Sequence, residues 1–518
     1  MKRHFSRGAA PALLALVLVC ALAAPVAAKA KPATSSSPTT PTWPPLPAFD
    51  RTLAWSDCGD GFECATLTVR VDWTKPAGAD TLGLALIRRP ALVPDQRLGA
   101  LVVNYGGPGE SGVDYLRRTW SRLPETVRDR YDVVSFDPRG TGSSRPIDCV
   151  DDAYLDLGAG IAAVPSTPDQ LDVLHRYNAG FAAGCRQRMG SYAGQVGTRN
   201  VARDVEAIRL ALGEPALNYL GYSYGTIVGA TYAQMYPRNI QRMVLDGPPD
   251  YWITARDYAF RQAQGFMRAL TSFLDWCQQY SCSFAATGNP RDQLDQLIAS
   301  VDRAPLPASY TVNGMTREGR LTSGLLENGV LAMLYDRSRG WPYLSDALAE
   351  AVTTGQGAAL LSISDQYLGR QPDGRWNPLV EANAVITCVD RPTKTPPTDA
   401  AELAAVANFQ SQLPPWGGSF ATTSCVGMPK PAKGGRLGPV NVQGSAPILV
   451  IGTTGDPATP YAGAESMVTR IAGSGLLTFD STEHTAFGRA ISTCIDDTVD
   501  TYLVDGTLPP PGTRCAPN

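Results

Sequence analysis

Apolar residues recur along the chain in short runs that alternate with longer stretches of helical spacing. "ATLTVRVDW", "LGLALIRR", "GALVVNYGG", "YDVVSFDPRG", "LNYLGYS" and "RMVLDGPP" read as six strands. Between the last two pairs of runs the pattern turns helical. In "NVARDVEAIRLALGEP" Val201, Val205, Ile208 and Leu212 share one helical face; Asn200 is placed to cap its start and Gly213 to stop it before Pro215. Strands separated by helices predict an α/β architecture, a mostly parallel sheet with helices on both faces. From residue 251 to about 440 the pattern is helix-rich with Pro- and Gly-rich joints, and strand-like runs return at "APILVIGTTGDPATP" and "GLLTFD". The expected organisation is a core at 51–250, a mainly helical insertion after the sixth strand at 251–440, and the remainder of the core at 441–518.

The N-terminus follows another logic. Lys2, Arg3 and Arg7 precede an apolar run from Ala9 to Ala24, and Val26-Ala27-Ala28 or Ala28-Lys29-Ala30 offers small residues for cleavage. This predicts a signal peptide over 1–30 and export, since the run is shorter than the roughly 20 residues a membrane span needs. Residues 31–50, rich in Pro, Ser and Thr, read as an extended leader or pro-segment, with the folded part beginning near Leu53. Export changes the reading of the cysteines. Without Cys20 ten remain, falling as close couples: Cys58 and Cys64, Cys149 and Cys185, Cys277 and Cys282, Cys388 and Cys425, Cys494 and Cys515. Disulfides between neighbours are the economical expectation.

With 518 residues and a net charge of -3, the chain has material for a large core and no basic field for nucleic acid. Neither a metal nor a cofactor is expected: the only histidines are His4, His175 and His484, and no Cys-x-x-Cys or His-Glu-x-x-His pattern occurs.

One pentapeptide brings chemistry into this picture. Gly221-Tyr222-Ser223-Tyr224-Gly225 follows a strand and opens a small-residue helix, the context in which Gly-x-Ser-x-Gly forms a strained turn that exposes a serine nucleophile. A serine needs a base. His4 lies in the leader and His175 in a charged helical stretch read as surface, which leaves His484, after the last strand-like run. The orienting acid belongs between them in sequence, and Asp456 follows the run Ile448–Ile451 at a strand end; Glu483 is too close to His484 to take that role. For the oxyanion, "VVNYGGPGESG" gives a glycine loop after a strand. Pro108 has no N–H, so the Gly107 amide, paired with that of Tyr224, is the expected hole. A phosphate loop is disfavoured because no Lys-Ser/Thr follows.

These motifs, with "SFDPRGTGSS", "AVITCVD", "GDPATPYAGAESM" and the tail "CIDDTVDTYLVDGTLPPPGTRC", resemble the secreted bacterial tripeptidyl aminopeptidases of the α/β-hydrolase superfamily over most of the chain. The resemblance implies Ser223, Asp456 and His484 as triad, Gly107 and Tyr224 as oxyanion hole, and release of short peptides from free N-termini. Departures stand at Tyr105, where the family has Pro, and at Glu110 and Glu483, where it has Gly. They touch the rim and bear on substrate preference. An α-ammonium taken out of water needs a carboxylate partner; Asp390, Glu110 and Glu327 are the candidates. The expected partner is therefore a peptide, with no nucleic acid, no stable membrane anchor and a monomeric chain. The same triad also serves a secreted carboxylic ester hydrolase, and a non-enzymatic binding protein on this fold is the remaining alternative.

Overall fold

The computed structural model describes residues 43–75, 80–393 and 395–518. The expected signal peptide and most of the expected leader lie outside the described residues. Eight strands build the sheet: β1 (Glu63–Arg70), β2 (Thr81–Arg89), β3 (Gly99–Asn104), β4 (Tyr131–Phe136), β5 (Leu217–Tyr222), β6 (Ile240–Asp246), β7 (Leu449–Thr453) and β8 (Gly475–Phe479). Their order is 1-2-4-3-5-6-7-8, with two-residue strands at Ser56–Asp57 and Arg514–Cys515 extending the edges. β1, β2 and β4 pair antiparallel, and from β4 onward the sheet is parallel. The predicted α/β class therefore holds.

β3 shows why these strands read as continuous apolar runs. Ala100 and Val102 enter one hydrophobic cluster and Leu101 and Val103 another, so both faces of the strand are covered. The helix after β5, Tyr224–Met235, carries no charge because it is buried along almost its whole length. Both glycines of the pentapeptide are required by close backbone. A Cβ on Gly221 would stand 2.5 Å from the Gly225 carbonyl oxygen, and one on Gly225 2.5 Å from that of Asn104.

Two expectations change. The helix read from Asn200 begins at Thr198, with Gly197 at the cap position offering no side chain. Asn200 lies inside and donates to the carbonyl and side-chain oxygens of Gln195. The cap comes instead from Asp390, whose carboxylate accepts from the Thr198 N–H at 2.9 Å. Secondly, Trp43, Leu46 and Phe49, assigned to the leader, have no regular structure yet pack on the core, with Phe49 edge-on to Trp73 and Arg199 over the Trp43 ring.

The insertion after β6 is mostly helical, with one antiparallel hairpin, Leu306–Val312 and Met315–Leu321. Its helices surround a cluster of their own centred on Phe273, Leu326 and Trp341. Its helix Leu379–Asp390 departs from this: Ala382, Val385, Ile386 and Val389 join the main core. This helix thus anchors the insertion in the main core. Every cysteine couple is bonded neighbour to neighbour, Cys58–Cys64, Cys149–Cys185, Cys277–Cys282, Cys388–Cys425 and Cys494–Cys515. Among the described residues no helix is long and apolar enough to cross a membrane.

Candidate active site

The parallel strands end together, and their C-terminal ends carry the chemistry. Ser223 follows β5 with φ 53° and ψ −123°, a left-handed conformation that a serine adopts only when its surroundings impose it. Its N–H donates to the Asp246 carbonyl at 2.8 Å and its own carbonyl accepts from the Thr226 N–H at 3.0 Å. Among the described residues the hydrogen bonds of Ser223 all involve its main-chain N–H and carbonyl, the latter also accepting from the Thr226 hydroxyl, and none involves its hydroxyl; the residue lines the cavity.

Asp456, three residues after β7, is fully buried. Its Oδ1 accepts from the N–H groups of Ala458 and Thr459 at 2.9 and 2.8 Å, and its Oδ2 from the Thr459 hydroxyl at 2.8 Å. The same carboxylate holds His484 Nδ1 at 2.9 and 3.0 Å from its two oxygens. It is at once a turn-forming aspartate and the partner of the imidazole. With Nδ1 bound, the ring presents Nε2 as the free nitrogen.

Asp246, at the end of β6, was not singled out from the sequence. Its main-chain carbonyl holds Ser223, and its Oδ2 accepts from the N–H groups of Ala486 and Phe487, each at 2.9 Å, just after His484. One residue therefore fixes both the serine turn and the histidine loop. Among the described residues its Oδ1 is buried without a partner, and burial pushes the carboxyl up to about 6. The signal was present in "RMVLDG", an acid at a strand end like Asp456, but its partners are some 240 residues away.

The glycine loop lies against the serine. Gly106, at φ 99°, would place a Cβ 3.1 Å from that of Ser223 and 3.3 Å from the Tyr224 nitrogen, so only glycine admits this approach. Gly107, Pro108, Ser223 and Tyr224 line one cavity of about 1280 Å³. The cap helix Leu379–Asp390 holds this loop, with Asn383 donating to the Pro108 carbonyl at 2.9 Å.

The three carboxylates proposed for an ammonium diverge. Asp390 does not line the cavity; it is engaged with the Thr198 N–H and hydroxyl, and burial pushes it up to about 7. Thr198 in turn bonds the Tyr224 hydroxyl, so Asp390 supports the start of the helix Tyr224–Met235. Glu110 is raised by burial and partly offset by Arg118, and is likewise absent from the cavity wall. Glu327 does line it. On the helix Ser323–Met333 it is 7% exposed, with the Ser419 hydroxyl donating to it at 2.5 Å, and among the described residues no Lys, Arg or His pairs with it. Burial pushes this carboxyl up to about 8. His175 is half-buried and pairs at 3.1 Å with Glu402, a buried residue of the cavity wall.

Comparison with known proteins agrees with this geometry. Residues 99–489 match the alpha/beta hydrolase fold family. The chain is 34% identical to serine protease Hip1 of Mycobacterium tuberculosis, covering 90% of this chain and 92% of that protein. It is 32% identical to carboxylesterase B of the same organism, over 88% and 86%. It is 30% identical to the tripeptidyl aminopeptidase of Streptomyces coelicolor, over 90% and 86%. The serine turn, the buried Asp456–His484 pair and these relatives lead to one assignment: the chain belongs to the α/β-hydrolase family and, within it, to the serine peptidases related to tripeptidyl aminopeptidase.

Proposed function

We propose that this protein is an exported exopeptidase that releases short peptides, tripeptides foremost, from free N-termini. The observation that carries this reading is Glu327, a buried carboxylate without a cation, facing the cavity that holds Ser223. An α-ammonium supplies the missing charge and recovers the desolvation cost that keeps the empty carboxyl protonated. Five disulfides are in keeping with an oxidising compartment.

In the proposed mechanism Ser223 Oγ attacks the scissile carbonyl while His484 Nε2 takes its proton, and Asp456 stabilises the imidazolium. The amides of Gly107 and Tyr224 stabilise the oxyanion, each contributing about 3 kcal/mol in the transition state. His484 then protonates the leaving amine, and water repeats the sequence on the acyl-enzyme.

The test compares a tripeptidyl amide bearing a free N-terminus, its N-acetylated twin and a short acyl ester, with Ser223→Ala and Glu327→Gln beside the parent. Turnover of the free-amine amide alone, lost in Ser223→Ala and weakened through KM in Glu327→Gln, supports the reading. Efficient ester cleavage with both amides inert overturns it in favour of an ester hydrolase, the activity that the carboxylesterase relative's name carries.

A further inference from the structure

Glu483 stands immediately before His484, is only 4% exposed, and does not address the imidazole. Its two oxygens accept from the main-chain N–H groups of Arg337 and Ser338, each at 3.1 Å, in the cap turn that follows the helix Ser323–Met333. Arg489 closes a second link. Its Nη2 reaches Asp336 of the same turn at 2.8 Å and Glu483 at 3.3 Å, while its Nη1 donates to the His484 carbonyl at 2.7 Å. The His484 N–H donates to the Tyr335 carbonyl at 3.0 Å, and the Tyr335 ring stands edge-on to the imidazole at 5.1 Å.

The main chain of His484 is therefore held on both sides by links to the cap, whereas its ring is tied through Asp456 to the core. The distance from the imidazole to Ser223 then depends on where the cap turn sits as well as on the hold of Asp246 on Ala486 and Phe487. We propose that Glu483 and Arg489, with Asp336, are positioning residues that latch the Tyr335–Ser338 turn to the histidine loop, so that the cap sets the alignment of His484 with Ser223. The turn begins two residues beyond the helix carrying Glu327, which puts the ammonium-facing carboxylate and the latch on one segment. This inference rests on Ser223 and His484 being nucleophile and base.

The test uses a small alkyl fluorophosphonate, which reacts with the activated serine without extending into the cap. Its rate of phosphonylation of the mature protein is measured beside kcat and KM on a peptide amide and the melting temperature. Misplacing a reacting group by about 1 Å costs on the order of 100-fold. Glu483→Gln and Arg489→Met are accordingly expected to lower kcat and the phosphonylation rate in parallel, by about 10- to 100-fold, with KM little changed. The double variant should lose scarcely more than either single one, because both act through one link. Asp336→Asn and Arg489→Lys, which keep most of the packing, cover the case in which the stronger substitutions prevent folding and should show the same parallel losses, smaller in size. An unchanged phosphonylation rate in a folded variant, or additive losses, overturns the latch. Labelling that persists in Ser223→Ala would instead overturn the triad on which it rests.

Discussion

At the scale of single residues, Asp456 illustrates how one side chain serves shape and chemistry together. Its carboxylate closes its own turn and holds the imidazole at once, because it has lone pairs for two amides, a hydroxyl and a ring nitrogen. Asp456→Asn keeps the turn but favours the wrong imidazole tautomer, and kcat is expected to fall by about 10⁴ with a small change in KM and melting temperature. Gly225→Ala should act in the opposite sense. Its Cβ would meet the Asn104 carbonyl oxygen and side chain at 2.5 and 2.7 Å, so soluble yield and melting temperature fall before any kinetic constant is measured. Ser223 and His484 were legible because the pentapeptide is distinctive and histidines are scarce. Asp390 was misread, since a buried acid and an ammonium-binding acid look alike until Thr198 is seen beneath it.

At the scale of elements, the helix Thr198–Ala211 begins three residues earlier than its apolar period suggests and takes its cap from a helix 192 residues away. No local signal encodes that. Asp390→Ala leaves the Thr198 N–H and hydroxyl without their acceptor and is expected to cost about 1–3 kcal/mol, measured by chemical denaturation. Because Thr198 also holds the Tyr224 hydroxyl, kcat should decline with it. Asp390→Asn resembles the protonated acid, which burial favours up to about pH 7, and should behave nearly as the parent below that value. The helix Leu379–Asp390 falls in the stretch expected to be helix-rich. Its membership in the main core, and its grip on Pro108 through Asn383, arise only from packing.

At the scale of the whole molecule, buried carboxyls set the response to pH. Asp246, Glu381, Asp390 and Glu327 are pushed up to about 6, 7, 7 and 8 from ordinary values of 3.8 or 4.5, in each case chiefly by burial. The folded state thus holds protons that the unfolded chain releases. The stability carried by these groups is full below about pH 4 and is lost as pH rises through 6 to 8. The melting temperature of the substrate-free protein should fall from pH 5 to 8, and Glu327→Gln should flatten the upper part of that slope. A substrate ammonium drives the proton from Glu327, so calorimetry of peptide binding to Ser223→Ala should register proton release below pH 8, absent in the Glu327→Gln background. By itself the chain's pattern determined the α/β class and the cysteine couples, and it singled out Ser223, Asp456 and His484 as the candidate triad and the stretch after the sixth strand as the candidate insertion. Each of these is written in local periodicity or in a rare residue at a strand end. Tertiary structure alone decided that Glu327 faces the cavity without a paired cation among the described residues, that Asp390 caps a helix, and that Asp246 and Glu483 tie the histidine loop to β6 and to the cap turn. Burial and hydrogen-bond partnership depend on residues hundreds of positions apart, and a carboxylate's role is set by what surrounds it.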